Sequence, residues 1–391
     1  MKLARLHITL RYALYLALAL SVLGPVFHVL KVTRLSYDIG AYVFYFGFPA
    51  LVLLLMAGIF SPYVERPTPP LAALLVIMMA AASVMTIVHG GDIIDIAGNL
   101  LRLLFCLFTI LFFTTSSFAY VATVNRILGS IARLALVFSL GAASFMHLAA
   151  ASGLGVYFGL QNTASFISLA YGLAFKRWAY ALLSVVAIIA SGKRGAMMSM
   201  VVMALVYLVV LFRQGQMQKL VFFVFFSIGA ALLVVTGGFL PESILARFSQ
   251  FTSGDAVDWN MATAGRVDEL EAALFYLGRH EYGWLTGYGL GAAIDINGQT
   301  DSTIHFSPFG MVIIFGAPLT LLFYCALMWQ AGQALRKKII NNPYALSVYL
   351  IFVAEFIFSF SAFTVMQSYM LWLCLAYLIS VKIVQDSKRL S

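Results

Sequence analysis

Charge is what this sequence has least of. Only 10% of its 391 residues are Asp, Glu, Lys or Arg, against 62% apolar residues. That ratio lies well outside the range of soluble globular domains. Cysteine is scarce too. Cys106, Cys325 and Cys374 each fall inside an apolar run, which argues against a disulfide framework and leaves them as small buried hydrophobes. His28, His89 and His147 are scattered without ligand spacing, no His/Cys/Asp cluster suggests a metal, and no cofactor is implied. The apolar runs approach twenty residues and lack the period-two alternation of barrel strands. Tandem repeats, low-complexity tracts and soluble domains are missing as well. These absences leave one class, an all-α polytopic membrane protein forming a single membrane domain over residues 1–391.

What is present is a succession of runs long enough to span a bilayer. They fall near 11–30, 40–60, 71–89, 100–119, 134–153, 155–175, 178–191, 195–212, 219–240, 304–329, 344–363 and 366–382. The expectation is about twelve transmembrane helices. The run near 178–191 is short, and 134–175 admits another division around Gly153 and Gly155. The first run is too long, and followed by too many others, to be a cleaved signal peptide. Pro67, Pro69 and Pro70 stiffen one turn, and Asn341-Asn342-Pro343 another.

Orientation follows from the Lys/Arg bias of the short loops. With the N-terminus inside, the inner segments hold sixteen of the twenty-four basic residues against two acids, Glu65 and Asp386. The outer segments and their margins keep eight basic residues, Arg102, Lys193, Arg194 and Arg266 among them, against twelve acids. The formal charge of +9 is therefore a topology signal and not a nucleic-acid footprint. Both termini are expected in the cytoplasm. One polar segment, about 241–303, stands between the ninth and tenth spans on the outer face, and nine of the chain's fifteen acids lie in it.

Three places could carry chemistry. In ASGKRGAMMSM a tight turn between two spans holds Lys193 and Arg194 near the membrane surface, with Gly192 and Gly195 on either side. Such cations are costly there unless partnered, and the planar arginine fork suits phosphate; snorkelling onto lipid headgroups is the structural alternative. In AGRVDELEAALFYLG the apolar positions Val267, Leu270, Leu274 and Leu277 predict an amphipathic helix that begins at Arg266. A cation at a helix start opposes the dipole, and an ion pair to Glu269 is its structural alternative. In GYGLGAAIDINGQTDSTIH, Gly287, Gly289 and Gly291 permit a tight loop whose N–H groups could approach a phosphate. His305 follows at the threshold of the next span, with a pKa range suited to general acid or base work. Asp92 and Asp95 read as a solvated outer loop, and Glu355 is an acid within a span, functional by default but without a basic partner in sequence.

Together, in this order and on this topology, the motifs resemble the O-antigen ligase and O-antigen polymerase superfamily of bacterial inner-membrane glycosyltransferases. SGKRG is similar to that family's Ser-x-x-Arg-Gly turn, AGR to its Thr-Gly-Arg element, and GYGLG with His305 to its glycine-rich and histidine element. Ala264 stands where the family has threonine, and Phe306 where it often has asparagine. The resemblance implies a large periplasmic loop and glycan transfer at the outer face. The implied donor is an undecaprenyl-pyrophosphate-linked glycan, and the acceptor is another lipid-linked glycan (exopolysaccharide or O-antigen polymerase) or lipid A core in lipopolysaccharide (ligase). It implies no metal and no nucleic acid. Arg194 and Arg266 would hold the pyrophosphate with Lys193, Gly287, Gly289 and Gly291, and His305 would orient or deprotonate the attacking hydroxyl. Two other classes stay open. A polyprenyl-phosphate-sugar transferase would need an acidic pair in the first outer loop, where Asp38 stands alone. A flippase or transporter for lipid-linked oligosaccharide would fit the span count and Glu355, but it does not require the acidic loop and would lead one to expect internal duplication.

Overall fold

The computed structural model of the chain describes residues 12–16, 19, 52, 70–151, 162–191, 193–216, 218, 221, 229, 266–296, 299–301, 307–335, 341–361 and 365–390. These residues are mostly helical. Helices α1 (Pro70–His89), α2 (Ile93–Thr115) and α3 (Ser117–Ala151) come first. Next are α4 (Thr163–Ala174), α5 (Trp178–Ala190) and α6 (Arg194–Arg213). The polar segment contributes α7 (Arg266–Leu277), the short α8 (Gly283–Thr286) and a hairpin of β1 (Ile294–Ile296) with β2 (Gln299–Asp301). The chain then forms α9 (Ser307–Phe315), α10 (Ala317–Ala334), α11 (Pro343–Ser359), a 3-10 turn at Val365–Gln367, and α12 (Tyr369–Leu390).

Five of these helices are long and apolar enough to cross a membrane: α1, α2, α3 over Ser117–Phe145, α6, and α12 over Tyr369–Ser387. α4, α5 and α11 are equally apolar but shorter. The expected runs at 40–60 (except residue 52) and 219–240 (except 221 and 229), most of 11–30, and residues 241–265 of the polar segment lie outside the described residues.

The run expected at 134–153 is part of α3, whose thirty-five residues extend about 52 Å at 1.5 Å per residue, far beyond a bilayer's hydrocarbon core. Its polar first half, with Asn125, Arg126 and Arg133, reads by charge as a loop. Arginine is a good helix former, however, and the helix runs straight through it. The run at 304–329 is two helices. Gly316 sits between them at φ +78°, and a Cβ there would come within 2.2 Å of the Leu285 carbonyl oxygen, so α8 packs into the break. The hairpin is a departure from an all-helical expectation. It pairs Ile294 with Asp301 and Ile296 with Gln299 in antiparallel register.

α11 is the central helix. It is apolar all round, and thirteen of its seventeen residues are buried, Glu355 among them, as expected of a helix enclosed by others. α4, α6 and α12 pack around it, and α2 and α3 complete the bundle against α12. Asn342 caps its start by accepting from the Tyr344 N–H at 3.0 Å, and Pro343 follows where no N–H is needed. α6 runs antiparallel beside it. Gln214, just past the end of α6, donates to Asn341 at 3.2 Å, while Gly195 at the other end of α6 meets Ser361.

The polar segment builds a second, smaller core of Ala273, Leu277, Tyr288, Ala292, Ile294 and Ile313. The buried face of α7 is not the expected Val267–Leu270–Leu274–Leu277 stripe. Its buried residues are Glu269, Ala273 and Leu277, while Leu274 is exposed and Phe275 is 69% exposed. Small Ala273 lets the helix approach Tyr288 and the hairpin closely, and Glu269 is drawn inward by its ion pair with Arg266.

Candidate functional site

The end of α11 and the described residues after it, 360–361 and 365–368, are where the separated motifs meet. Phe358 and Ser361 receive the SGKRG turn. The Lys193 ammonium lies 5.7 Å from the centre of the Phe358 ring. A Cβ on Gly195 would stand 1.9 Å from Ser361 Oγ and 2.9 Å from its Cβ, so only glycine allows this approach. Arg266 reaches the same residue from α7, donating from Nη2 to the Ser361 carbonyl oxygen at 3.5 Å, while its Nη1 pairs with Glu269. Lys193 and Arg266, far apart in the chain, are thus within electrostatic reach of each other. Burial first, and the like charge of Arg266 second, pull the Lys193 ammonium down to about 8.

Arg194 begins α6 immediately beside this pair. It is half-buried, and its Nη2 is sealed from solvent. A cation in the first turn of a helix gains nothing from the dipole, so this position is not explained by helix stability. The Arg266–Glu269 ion pair is the structural alternative weighed from sequence, and it is formed. It uses one side of the fork and still leaves Arg266 pointed at the end of α11.

The glycine-rich loop is also tied to this end of the molecule, but by a different use of its backbone than the phosphate cradle expected. The Tyr288 and Gly289 N–H groups donate to the Ile313 and Ile314 carbonyl oxygens at 2.7 and 3.1 Å, and that of Gly287 to Gly283 at 3.0 Å. The Leu290 N–H donates to Thr86 Oγ1 at 2.8 Å, and the Leu290 carbonyl oxygen accepts from Asn99 at 2.7 Å. The donors at 287–290 are therefore spent on α1, α8 and α9. Gly287 and Gly289, at φ +68° and +86°, and Gly291, pressed against Gly91, are needed for close packing. The geometry makes this loop a clamp on the helix ends and not an open nest for phosphate.

His305 lies outside the described residues. Ser307, two residues on, is fully buried and accepts from the Val365 N–H at 2.9 Å. Its hydroxyl also lies 3.0 Å from that of Tyr324. The start of α9 is thereby fastened to the same segment that Arg266 and Gly195 touch. Asp92 is the N-cap of α2, accepting from the Ile94 N–H at 2.8 Å, a structural use. Glu355, one turn before the end of α11, is fully buried and accepts from the Ser368 hydroxyl at 2.6 Å.

Comparison with protein-family models, curated proteins and solved structures gives no match.

Arg102, counted from sequence only among the basic residues of the outer margins, is a further cation of interest. It sits on α2 and donates from Nη1 to Asn99 Oδ1 at 2.8 Å. With the Gln367 amide oxygen turned toward it, Nη1 and Nη2 also donate there at 3.2 and 2.9 Å. An arginine inside an apolar helix was the available signal. A cavity of about 690 Å3, lined by Phe175, Lys176, Arg213, Gln214, Leu335 and Asn341 among others, lies at the opposite end of α4, α6 and α11. The twenty residues of α6 put it about 30 Å from the Lys193–Arg266 pair, so it is not part of this site.

Proposed function

We propose that this protein is a membrane glycosyltransferase that moves a glycan from undecaprenyl pyrophosphate to an acceptor sugar hydroxyl at the outer face of the bacterial inner membrane. The observation that carries the reading is the convergence of the Lys193–Gly195 turn and Arg266 on the end of α11, which gathers cations on a half-buried surface at one end of an apolar bundle. Fixed cations in a poorly solvated place suit a reaction whose leaving group is a pyrophosphate. The anomeric C1–O bond to phosphorus breaks, a C1–O bond to the acceptor hydroxyl forms, and the hydroxyl proton leaves. Lys193, Arg194 and Arg266 hold the pyrophosphate and take up the charge that grows on it. His305 takes the proton or orients the hydroxyl. In this reading the bundle has about twelve spans, the 241–303 segment is periplasmic, both termini are cytoplasmic, and α7 with the hairpin covers the sugars.

The test is transfer by Arg194→Ala, Arg266→Ala and His305→Ala proteins, each shown to insert normally. Retained transfer in all three refutes the assignment. The acceptor is read from the glycans of a null strain: unattached long chains mark a ligase, and single unpolymerised repeats mark a polymerase. Transport of the same lipid-linked oligosaccharide is the second reading, and the cavity beside Lys176 and Arg213 at the far end favours it. Flipping that survives disruption of the 241–303 segment, with no transfer, would select it.

A further inference from the structure

Arg102 lies nine residues into α2, about 13 Å along the helix from Ile93 and within a span-forming stretch. Among the described residues the single ion pair is Arg266–Glu269, so Arg102 is held by neutral groups alone. Tyr369 first, and Asp95, almost two turns earlier on α2, second, act on it electrostatically. An arginine inside an apolar bundle is expensive, and a neutral side chain could make the same two amide contacts at less cost. Retaining a cation there calls for an anion.

The way the fork is held says where that anion goes. The Asn99 oxygen accepts from Nη1, and the Gln367 oxygen accepts from both Nη1 and Nη2 at the end of the guanidinium. The remaining edge, with the Nε and outer Nη2 hydrogens side by side, has no acceptor among the described residues. That edge is the one that binds a phosphate or carboxylate with two parallel hydrogen bonds.

Both amides that aim it are themselves fixed. Asn99 is 2% exposed and donates to the Leu290 carbonyl oxygen of the glycine loop at 2.7 Å. Gln367 belongs to the 3-10 turn whose Val365 donates to Ser307 at 2.9 Å and accepts from the Trp372 indole at 3.1 Å. Arg102 itself is half-buried and not sealed in the core. The arrangement is a preorganised fork with one side empty of acceptors among the described residues.

We infer that the Nε–Nη2 edge of Arg102 is a second anion site, separate from the Lys193–Arg266 cluster, and that it takes the phosphate of a membrane-borne lipid. Its depth in the bundle selects an anion carried on an apolar tail over a free ion. Where the protein joins two lipid-linked glycans, both substrates carry a pyrophosphate, and Arg102 seats the second one. That last assignment rests on the glycan-transfer reading; the anion site does not.

The experiment counts bound lipid on the full-length protein in a phosphate-free maltoside detergent, by native mass spectrometry. The probes are undecaprenyl pyrophosphate, dioleoyl phosphatidylglycerol and inorganic pyrophosphate. Wild type is expected to hold two equivalents of undecaprenyl pyrophosphate, and Arg102→Gln and Arg266→Gln one each. Arg102→Lys, a point charge without the fork, keeps the second equivalent with affinity reduced at least tenfold, and it serves as the informative variant if Arg102→Gln fails to fold. Displacement of the Arg102-dependent equivalent by phosphatidylglycerol supports the site and makes bulk lipid its source. Displacement by inorganic pyrophosphate alone overturns the lipid assignment. Unchanged stoichiometry and affinity in Arg102→Gln overturns the site. Loss of transfer in Arg266→Ala alongside such a result would leave the glycan-transfer reading standing.

Discussion

Replacing Gly289 with alanine separates two uses of the glycine-rich loop. If the loop were an open cradle for phosphate, Gly289→Ala would spare the fold and reduce ligand binding. The structure gives the opposite order. Gly289 has φ +86°, and an added Cβ would lie 2.4 Å from the Thr86 backbone nitrogen and 2.8 Å from the Ala82 carbonyl oxygen. The left-handed backbone costs an L-residue about 1–2 kcal/mol. Overpacking against backbone atoms that cannot turn aside adds about 1–3 kcal/mol. The sum, on the order of 2–5 kcal/mol, is a large share of any domain's stability.

Gly90→Ala supplies the control, because Gly90 has φ +74° and nothing within 4 Å of the added methyl. It reports the backbone cost alone. Unfolding in detergent, followed by helix content against denaturant, should therefore rank wild type above Gly90→Ala and Gly90→Ala above Gly289→Ala. A Gly289→Ala protein as stable as Gly90→Ala would refute the packing argument and restore the cradle.

Three further outcomes follow from the same geometry. Because Lys193 titrates near 8, pyrophosphate affinity should be full below that pH and fall as pH rises through it, by the share Lys193 carries; in Lys193→Arg, which stays charged, titration calorimetry should show that component gone. Removing the Ser307 hydroxyl strips the buried Val365 N–H of its acceptor, so Ser307→Ala should cost about 1–3 kcal/mol by denaturant unfolding, while Tyr324→Phe costs less because the Ser307–Val365 contact survives. Glu269→Gln should change stability by at most about 1 kcal/mol, since the Arg266–Glu269 pair is partly exposed, yet lower transfer by freeing the Arg266 fork from its aim; transfer equal to wild type would show that Glu269 does not position Arg266.

Much of the framework was legible because composition decides solvent. Runs of apolar residues without charge satisfy their backbone in lipid only as helices or closed barrels, and the absence of alternation removes the barrel. The helix boundary at Asn342-Pro343 follows from local capping chemistry that needs no tertiary information. The hairpin had a local signal too. Asn297-Gly298 is a strong short-range turn signal, and it follows the alternating Ile294-Asp295-Ile296.

The face of α7 was not legible, because Val267, Leu270, Leu274 and Leu277 make a better apolar stripe than the one that packs. A half-buried ion pair and a small alanine decided it, and both depend on what lies opposite. The sequence by itself determined that the chain is a helical bundle for a membrane, and which three stretches carry cations, glycines and a histidine. Only the tertiary structure decided that Lys193, Gly195 and Arg266 meet at the end of α11, that the glycine loop's donors at 287–290 are spent inside the fold, and that Gln367 aims the Arg102 fork. Those are contacts between residues remote in the chain, and no local periodicity encodes which side chain faces which.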